Sequence, residues 1–244
     1  MQESLFITRF LNHLFAGPVN ALLLALGVHP ENPASPINDT FAVELLVVLG
    51  FIAIFTLVRC TLSVEKPGKT QQFAEMIHEA IGGLAEQSIG HGYQRFQAFV
   101  TCIFLFVLTC NLIGLIPGVA APTMSAYVPL GLAVAVFVYY NFHGIRVHGP
   151  IGYLKEFAGP IWWIAWLMFP IELISHSARL LSLTVRLWAN MFAGDLVTLV
   201  FFSLFPFALT LPFICLHIFV SIVQALVFTM LSMIYLSQAV AHEH

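Results

Sequence analysis

Residues 181–195 read Leu-Ser-Leu-Thr-Val-Arg-Leu-Trp-Ala-Asn-Met-Phe-Ala-Gly-Asp, with Arg186 as the only charge before the closing Asp195. They lie within a mostly apolar run from Ile161 to Phe205, about 45 residues long, more than twice what about 30 Å of hydrocarbon requires. A charge at bilayer depth costs roughly 2.5–3.5 kcal/mol on insertion scales, and a guanidinium cannot avoid that cost by losing its proton. Arg186 therefore needs a partner or a water-filled cavity, and we predict that it marks a functional site.

The composition of the chain is that of a membrane protein. Of its 244 residues, 59% are hydrophobic and 9% are charged, and the mean hydropathy is +0.92. A soluble domain carries about 25% charged residues, so this chain cannot cover itself with a solvated surface. It holds no run of Lys and Arg and no phosphate-binding loop or metalloprotease motif, and we therefore expect no nucleic-acid partner, no cofactor and no metal.

Apolar segments long enough to cross a bilayer recur five times along the chain. We predict an all-α polytopic membrane protein whose spans are Phe41–Val58, Phe96–Ile116, Tyr127–Phe142, a long helix within Ile161–Phe205, and Leu211–Leu236. Residues Gln71–Ile89 place apolar side chains on one helical face and Glu75, Glu79 and Glu86 elsewhere. That pattern predicts an interfacial amphipathic helix rather than a sixth span.

The N-terminal segment predicts a second helix that lies on the membrane. Leu5, Phe6, Phe10 and Leu14 recur at helical spacing, and polar residues interrupt the run between them. We therefore divide the chain into an interfacial segment with an outer loop at 1–40 and a membrane domain at 41–244. If the first segment crossed the bilayer instead, the number of crossings would change by one.

Cationic residues predict the orientation of the chain. Five of the nine Lys and Arg residues lie in two loops that alternation puts on one side: Arg59, Lys66, Lys69, Arg146 and Lys155. Because Lys and Arg accumulate in cytoplasmic loops, we expect the N-terminus outside and the C-terminus in the cytoplasm.

Three charges follow one face of the long helix. Glu172, Arg179 and Arg186 are seven residues apart in succession, which is nearly two turns. Glu172 and Arg179 could pair with each other or with another helix, as structural contacts between helices. No acidic residue stands three or four positions from Arg186, so its partner must come from elsewhere, including another polypeptide.

The last apolar segment supplies a complementary polar face, with His217 and Gln224 seven residues apart. If this segment forms an antiparallel hairpin with the long helix, His217 falls near Asp195 in depth and Gln224 falls nearer Asn190 and Arg186. Carboxylate and imidazole groups relay protons inside membranes, although a lone membrane histidine is more often hydrogen-bonded packing. The hairpin predicts a polar path that ends at Arg186.

The long helix resembles the arginine block of subunit a of the F-type ATP synthase. The matching pairs are Ser182-Leu183, Arg186-Leu187, Asn190-Met191 and Ala193-Gly194. Further similar stretches are Pro170-Ile171-Glu172-Leu173-Ile174-Ser175-His176, Asn111-Leu112-Ile113-Gly114-Leu115-Ile116-Pro117, and the His217 to Gln224 helix that ends in Tyr235-Leu236-Ser237. The resemblance covers the chain from about residue 40 to its C-terminus.

The resemblance implies the stator half of the proton channel in CF(0), the membrane sector of a rotary ATP synthase of the bacterial inner (plasma) membrane. The C-terminal hairpin would pack against a ring of c-subunit proteolipids, each bearing one membrane carboxylate. Peripheral-stalk b subunits and the F1 head would complete the complex, and ATP chemistry would remain in other subunits. Two offset half-channels would pass protons to and from the ring and so couple proton translocation to ATP synthesis.

The resemblance also assigns proton-translocation roles to residues of this chain. Arg186 would face the ring carboxylate, which a fixed cation in a low dielectric drives to ionise. The outer path would be lined by Asn190, Asp195, His217 and Gln224, and the cytoplasmic path by Glu172, Ser175 and His176.

Three positions depart from the family pattern or leave a choice open. Asp195 stands where many relatives carry glutamate or histidine, and its shorter side chain predicts a water bridge to His217. Gly114 stands where some relatives carry an acid, and Glu44 could substitute for that acid or extend to the outer interface. The choice between H⁺ and Na⁺ stays open because ring residues decide it.

Two other classes of protein compete with this interpretation. A stand-alone proton-coupled transporter would bind its solute at mid-membrane, but such folds usually show internal repeats, and the long fourth span has no counterpart in the first half of the sequence. In a purely structural membrane scaffold, the charges would serve only to hold helices together.

Overall fold

The computed structural model describes residues 6–25, 35–60, 68–90, 92–116, 119–158, 163, 165–204 and 210–240. In these ranges the regular structure is helical, with α-helices α1 (Phe6–Ala25), α2 (Asp39–Cys60), α3 (Lys69–Ile89), α4 (Gln94–Ile113), α5 (Tyr127–Ala158), α6 (Ala165–Leu204) and α7 (Thr210–Val240). A short 3₁₀ turn at Pro122–Met124 lies between α4 and α5. The predicted all-α class is confirmed.

Five helices are long and apolar enough to cross a membrane, as the sequence predicts. Their spans are Asp39–Cys60, Gln94–Ile113, Tyr127–Gly149, Trp166–Ser203 and Leu211–Val240. Among the described residues, α1 and α3 do not meet these criteria. The chain is therefore a multi-pass membrane protein, and every backbone polar group inside its spans can be paired within a helix.

The third span is longer than predicted because polar residues do not end the helix. Sequence alone placed its end at Phe142, whereas the helical span continues to Gly149 and is 23 residues long. Gly149 has a φ of 73° and a ψ of 163°, which kinks α5 at a residue without a Cβ. In a straight helix, residues twelve positions apart would be separated by about 18 Å along the axis. Because of the kink, Tyr153 reaches back and donates its hydroxyl proton to Asn141 Oδ1 at 2.8 Å.

Helices α6 and α7 form the antiparallel pair that the hairpin prediction requires. The ring of His217 lies against Gly194, where a Cβ would come within 3.2 Å of Nδ1. Ser221 Oγ lies 4.0 Å from Met191 Sδ, and Arg179 Cζ lies 5.4 Å from the centroid of the Tyr235 ring. Residue numbers thus fall on α6 as they rise on α7, while positions 205–209 of the predicted connection lie outside the described residues.

The core of the second compact unit, Thr61–His244, is built from one face of each packed helix. Leu187 and Met191 of α6 and Met233 of α7 are at most 1% exposed. The opposite faces remain apolar, as at Leu181, Val185 and Leu196 of α6, each more than half exposed. Large apolar side chains on an outer surface suit a protein surrounded by lipid.

The first compact unit is Met1–Cys60 and contains α1 and α2. Asn12 of α1 fixes the start of α2 by a double hydrogen bond to the backbone of Ile37. Its Nδ2 donates to the Ile37 carbonyl at 3.1 Å, and its Oδ1 accepts from the Ile37 N–H at 3.0 Å. The helix expected at the N-terminus is present from Phe6, and its position on the membrane stays a prediction.

Candidate functional site

Arg186 lies at the edge of the packed face of α6. Leu183 and Leu187 on either side of it are 3% and 1% exposed, while Arg186 itself is exposed. Within the described part of the chain it forms no hydrogen bond and no ion pair. Buried neighbours hold the helix in place, so this guanidinium is presented outward to whatever packs on that side.

Although Glu172, Arg179 and Arg186 are spaced seven residues apart, they do not lie in the same environment. An α-helix drifts by about 20° per heptad, and Arg186 therefore lies further around α6 than Glu172. Glu172 and Arg179 are partly buried, with side chains 34% and 25% exposed, and their Oε1 and Nη2 atoms are 4.0 Å apart. Of the two alternatives for these charges, the structure shows the pairing within α6, across two helical turns.

A first cluster forms around His176, which is 8% exposed. Tyr140 of α5 and the imidazole are hydrogen-bonded, with the phenolic oxygen 2.9 Å from Nδ1. Nε2 lies 3.3 Å from Glu172 Oε1. If Nε2 carries the proton, the imidazole donates to the carboxylate and accepts from the phenol, which satisfies all three groups. A cavity of about 120 Å³ opens beside them and also reaches Arg179 and Tyr235.

A second cluster lies nearer the C-terminal end of α6. His217 is 5% exposed, and its Nε2 has no hydrogen-bond partner among the described residues. Asn190, Gly194 and His217 line one cavity of about 230 Å³, and Asp195 is partly buried within electrostatic range of His217. A buried imidazole nitrogen without a partner beside such a cavity is suited to a water molecule.

Four predicted site residues do not line either cavity: Arg186 and Asp195, described above, and Ser175 and Gln224. Ser175 is partly buried one position before His176 and does not line the cavity beside it. Gln224 is also partly buried, and the register of the α6–α7 pair puts it level with Trp188, between Arg186 and Asn190.

Sequence reasoning missed the aromatic and amide groups of the first cluster, which are Tyr140, Tyr153, Tyr235 and Gln238. In the sequence, Tyr235 stands out only as part of the terminal motif Tyr235-Leu236-Ser237. A phenol within an apolar span is a usable signal, because a buried hydroxyl needs a partner. Which partner it finds depends on the crossing of α5 and α6.

A turn after α4 supports the site from the opposite side. Asn111 is fully buried, accepts from Thr123 Oγ1 at 2.8 Å, and has its Nδ2 3.3 Å from the Ser221 carbonyl. Gly114 lies so close to Ala121 that a Cβ would be 2.7 Å from the Ala121 Cβ. A glycine at position 114 is therefore required by packing, which explains why no acid is found there.

Comparison with known proteins bears on this site. The family model described as ATP synthase A chain matches residues 41–237. The chain is 47% identical to ATP synthase subunit a of Koribacter versatilis over 244 residues, which is the full length of both. It is 46% identical to ATP synthase subunit a of Solibacter usitatus over 235 residues, covering 96% of this chain and 100% of that one. Identity to ATP synthase subunit a of a Geobacter species (strain M21) is 37% over 217 residues, or 89% and 94% of the two chains.

Proposed function

Because the chain belongs to the ATP synthase A chain family, and so to the proton-channel stator of the membrane sector, we propose that it couples proton flow to rotation through two offset half-channels. Each half-channel would connect one side of the membrane to the carboxylates of a c-subunit ring. The chain itself would carry out no ATP chemistry. Its partners would be the ring, the peripheral-stalk b subunits, the F1 head and the surrounding lipid of the bacterial inner membrane, with the N-terminus outside and the C-terminus cytoplasmic.

The observation that carries this proposal is that Arg186 has no counter-ion among the described residues. It is exposed in the chain alone and has no ion pair among the described residues. A cation facing hydrocarbon would cost roughly 2.5–3.5 kcal/mol. A carboxylate of the ring, arriving opposite Arg186, would remove that cost and would itself be held ionised by the cation.

The outer half-channel would use the second cluster. Asp195 would take up a proton and pass it through water to His217, whose unpartnered Nε2 is available to such a water. Asn190 shares the cavity with His217, and Gln224 lies level with the helix turn between Asn190 and Arg186. These groups would lead the proton to the ring carboxylate beside Arg186.

The cytoplasmic half-channel would use the cluster around His176. A proton that leaves the ring would reach Glu172, and His176 can accept it at one nitrogen while the Tyr140 hydroxyl reorients at the other. Arg179 keeps Glu172 close and stacks over Tyr235. Ser175, on the same turn as Glu172, would hydrogen-bond to water in this path.

The spacing of the two clusters supports their separation by Arg186. Asp195 and Glu172 are 23 positions apart on α6, which corresponds to roughly 35 Å of helix. Arg186 lies between them and repels a proton that would pass directly from one cluster to the other. Since each proton that crosses 100 mV delivers about 2.3 kcal/mol, a direct leak would release that energy without rotation.

The proposal is tested by Arg186→Ala and Arg186→Lys in the complete complex in membrane vesicles. We expect both variants to assemble, as judged by membrane-bound ATP hydrolysis, and the alanine variant to lose ATP-driven proton pumping. Arg146→Ala is the matched control, because Arg146 is an exposed arginine on α5 outside both clusters. Pumping by Arg186→Ala at the level of the Arg146→Ala control would disprove the proposal.

A further inference from the structure

A polar cavity of about 450 Å³ lies in the first unit and shares no lining residue with the two cavities described above. Helix α1 contributes Thr8, Arg9, Asn12 and His13 to its walls, and Asp39, the first residue of α2, contributes the facing wall. The double hydrogen bond between Asn12 and the backbone before α2 holds the two walls together. The cavity is therefore a built feature of this unit rather than a gap between loose segments.

The cavity carries groups of both charges and an unsatisfied hydroxyl. Arg9 and His13 are one helical turn apart on α1, so their nitrogen donors are neighbours. Asp39 supplies a carboxylate to the same cavity. Thr8 is 3% exposed, and its Oγ1 has no hydrogen-bond partner within the part of the chain that the structure describes. A buried hydroxyl of this kind is stabilised when a ligand or water supplies the missing bond.

The position of Asp39 places this cavity at the level of lipid headgroups. Asp39 begins a span of 22 residues that contains an 18-residue window with a mean hydropathy of 2.7. A helix of that length covers about 33 Å, slightly more than the roughly 30 Å of hydrocarbon. Apolar side chains stand exposed on both helices around the cavity, including Phe10, Leu14 and Phe41. Acyl chains would cover them.

We propose that this cavity binds the headgroup of a zwitterionic aminophospholipid. Arg9 and His13 would bind the phosphate, since guanidinium and imidazole donors suit its oxygens. Asp39 would bind the ammonium group, which an anionic lipid lacks. A purely anionic headgroup shares the phosphate contacts but faces repulsion from the Asp39 carboxylate at short range. The presence of both charges in one cavity therefore favours phosphatidylethanolamine over phosphatidylglycerol.

The test is lipid retention by the complete complex purified in mild detergent. The complex is incubated with mixed micelles of phosphatidylethanolamine and phosphatidylglycerol, and lipids that stay on the ejected chain are counted by native mass spectrometry. We expect the unaltered chain to prefer phosphatidylethanolamine. Arg9→Gln should reduce the retention of both lipids by about tenfold, as the loss of a charged hydrogen bond predicts. Asp39→Asn should abolish the preference between them.

Arg59→Gln is the matched control, because Arg59 is an exposed arginine at the other end of α2. If the complex with Arg9→Gln does not assemble, His13→Gln is used instead, because His13 is exposed and its substitution removes the other phosphate-binding donor. Equal lipid retention by these variants and the Arg59→Gln control would overturn the proposal. A preference that survives Asp39→Asn would overturn the assignment to a zwitterionic headgroup.

Discussion

Trp188 donates its indole proton to the backbone carbonyl of Met124 at 2.9 Å, across 64 positions of the sequence. This bond ties α6, two residues after Arg186, to the 3₁₀ turn that follows α4. The same turn is bonded to Asn111 through Thr123, and Asn111 in turn contacts the Ser221 carbonyl on α7. The rotation of α6, and so the direction of Arg186, is set by hydrogen bonds from its opposite side.

Trp188→Phe should weaken this constraint while it keeps an aromatic ring in place. The loss of this hydrogen bond, which leaves the carbonyl of partly buried Met124 without its donor, should lower the free energy of unfolding by about 1–3 kcal/mol. We expect ATP-driven proton pumping to fall more than membrane-bound ATP hydrolysis does, because Arg186 would be less well oriented. Thermal unfolding of the purified complex and dye-quenching assays in vesicles measure the two effects.

Trp166→Phe is the control for this substitution, since Trp166 lies on the same helix and is 78% exposed. It should leave both measurements unchanged. Identical behaviour of the two tryptophan variants would show that the bond to Met124 does not orient α6.

Gly114→Ala should destabilise the turn after α4. The new Cβ would lie 2.7 Å from the Ala121 Cβ, a distance that requires the backbone to move. Overpacking of this kind costs about 1–3 kcal/mol, and the shift in thermal unfolding temperature measures it. Gly131→Ala on α5 meets no atom within 4 Å and should be neutral or stabilising. The double variant Gly114→Ala, Ala121→Gly should recover most of the loss.

The spans were predictable from the sequence because the bilayer imposes one simple requirement, a sufficient length of apolar helix. The end of the third span was not, because Asn141, His143 and Arg146 are typical of a loop, and yet the helix continues through them to Gly149. A helix keeps its backbone paired as it leaves the hydrocarbon, so polar side chains mark the membrane surface there rather than the end of the helix.

Part of the candidate site was likewise predictable from the sequence, and part of it was not. Arg186 and its lack of a local acid follow from sequence spacing alone, and so does the depth match of His217 with Asp195. The contact of Tyr140 with His176 does not, because it joins residues 36 positions apart on two crossing helices. Sequence periodicity fixes which face of one helix a residue occupies, but not which residue of another helix it meets.

A charge swap at Glu172 and Arg179 distinguishes a channel from a structural ion pair. In the unaltered chain these two opposite charges lie 4.0 Å apart. The double variant Glu172→Arg, Arg179→Glu keeps one positive and one negative charge at the same two positions. It should therefore restore the assembly that either single substitution weakens. It should not restore proton flux, because His176 Nε2 would then face a cation in place of its carboxylate neighbour. Passive proton conduction by vesicles stripped of the F1 head is the measurement. Full conduction by the swapped chain would support a purely structural role.

His217 packs against Gly194, the residue before Asp195. The Asp195 carboxylate and the His217 imidazole interact electrostatically, yet among the described residues no ion pair within 4.0 Å joins them, and His217 Nε2 stays without a partner. Asp195→Glu adds one methylene, or roughly 1.5 Å of reach, and should allow direct contact in place of a water bridge. We expect passive proton conduction equal to or above that of the unaltered chain. Asp195→Asn has nearly the same shape but no titratable proton, and it should lose most of the proton conduction. Conduction by the asparagine variant at the unaltered rate would show that Asp195 is not part of the outer path.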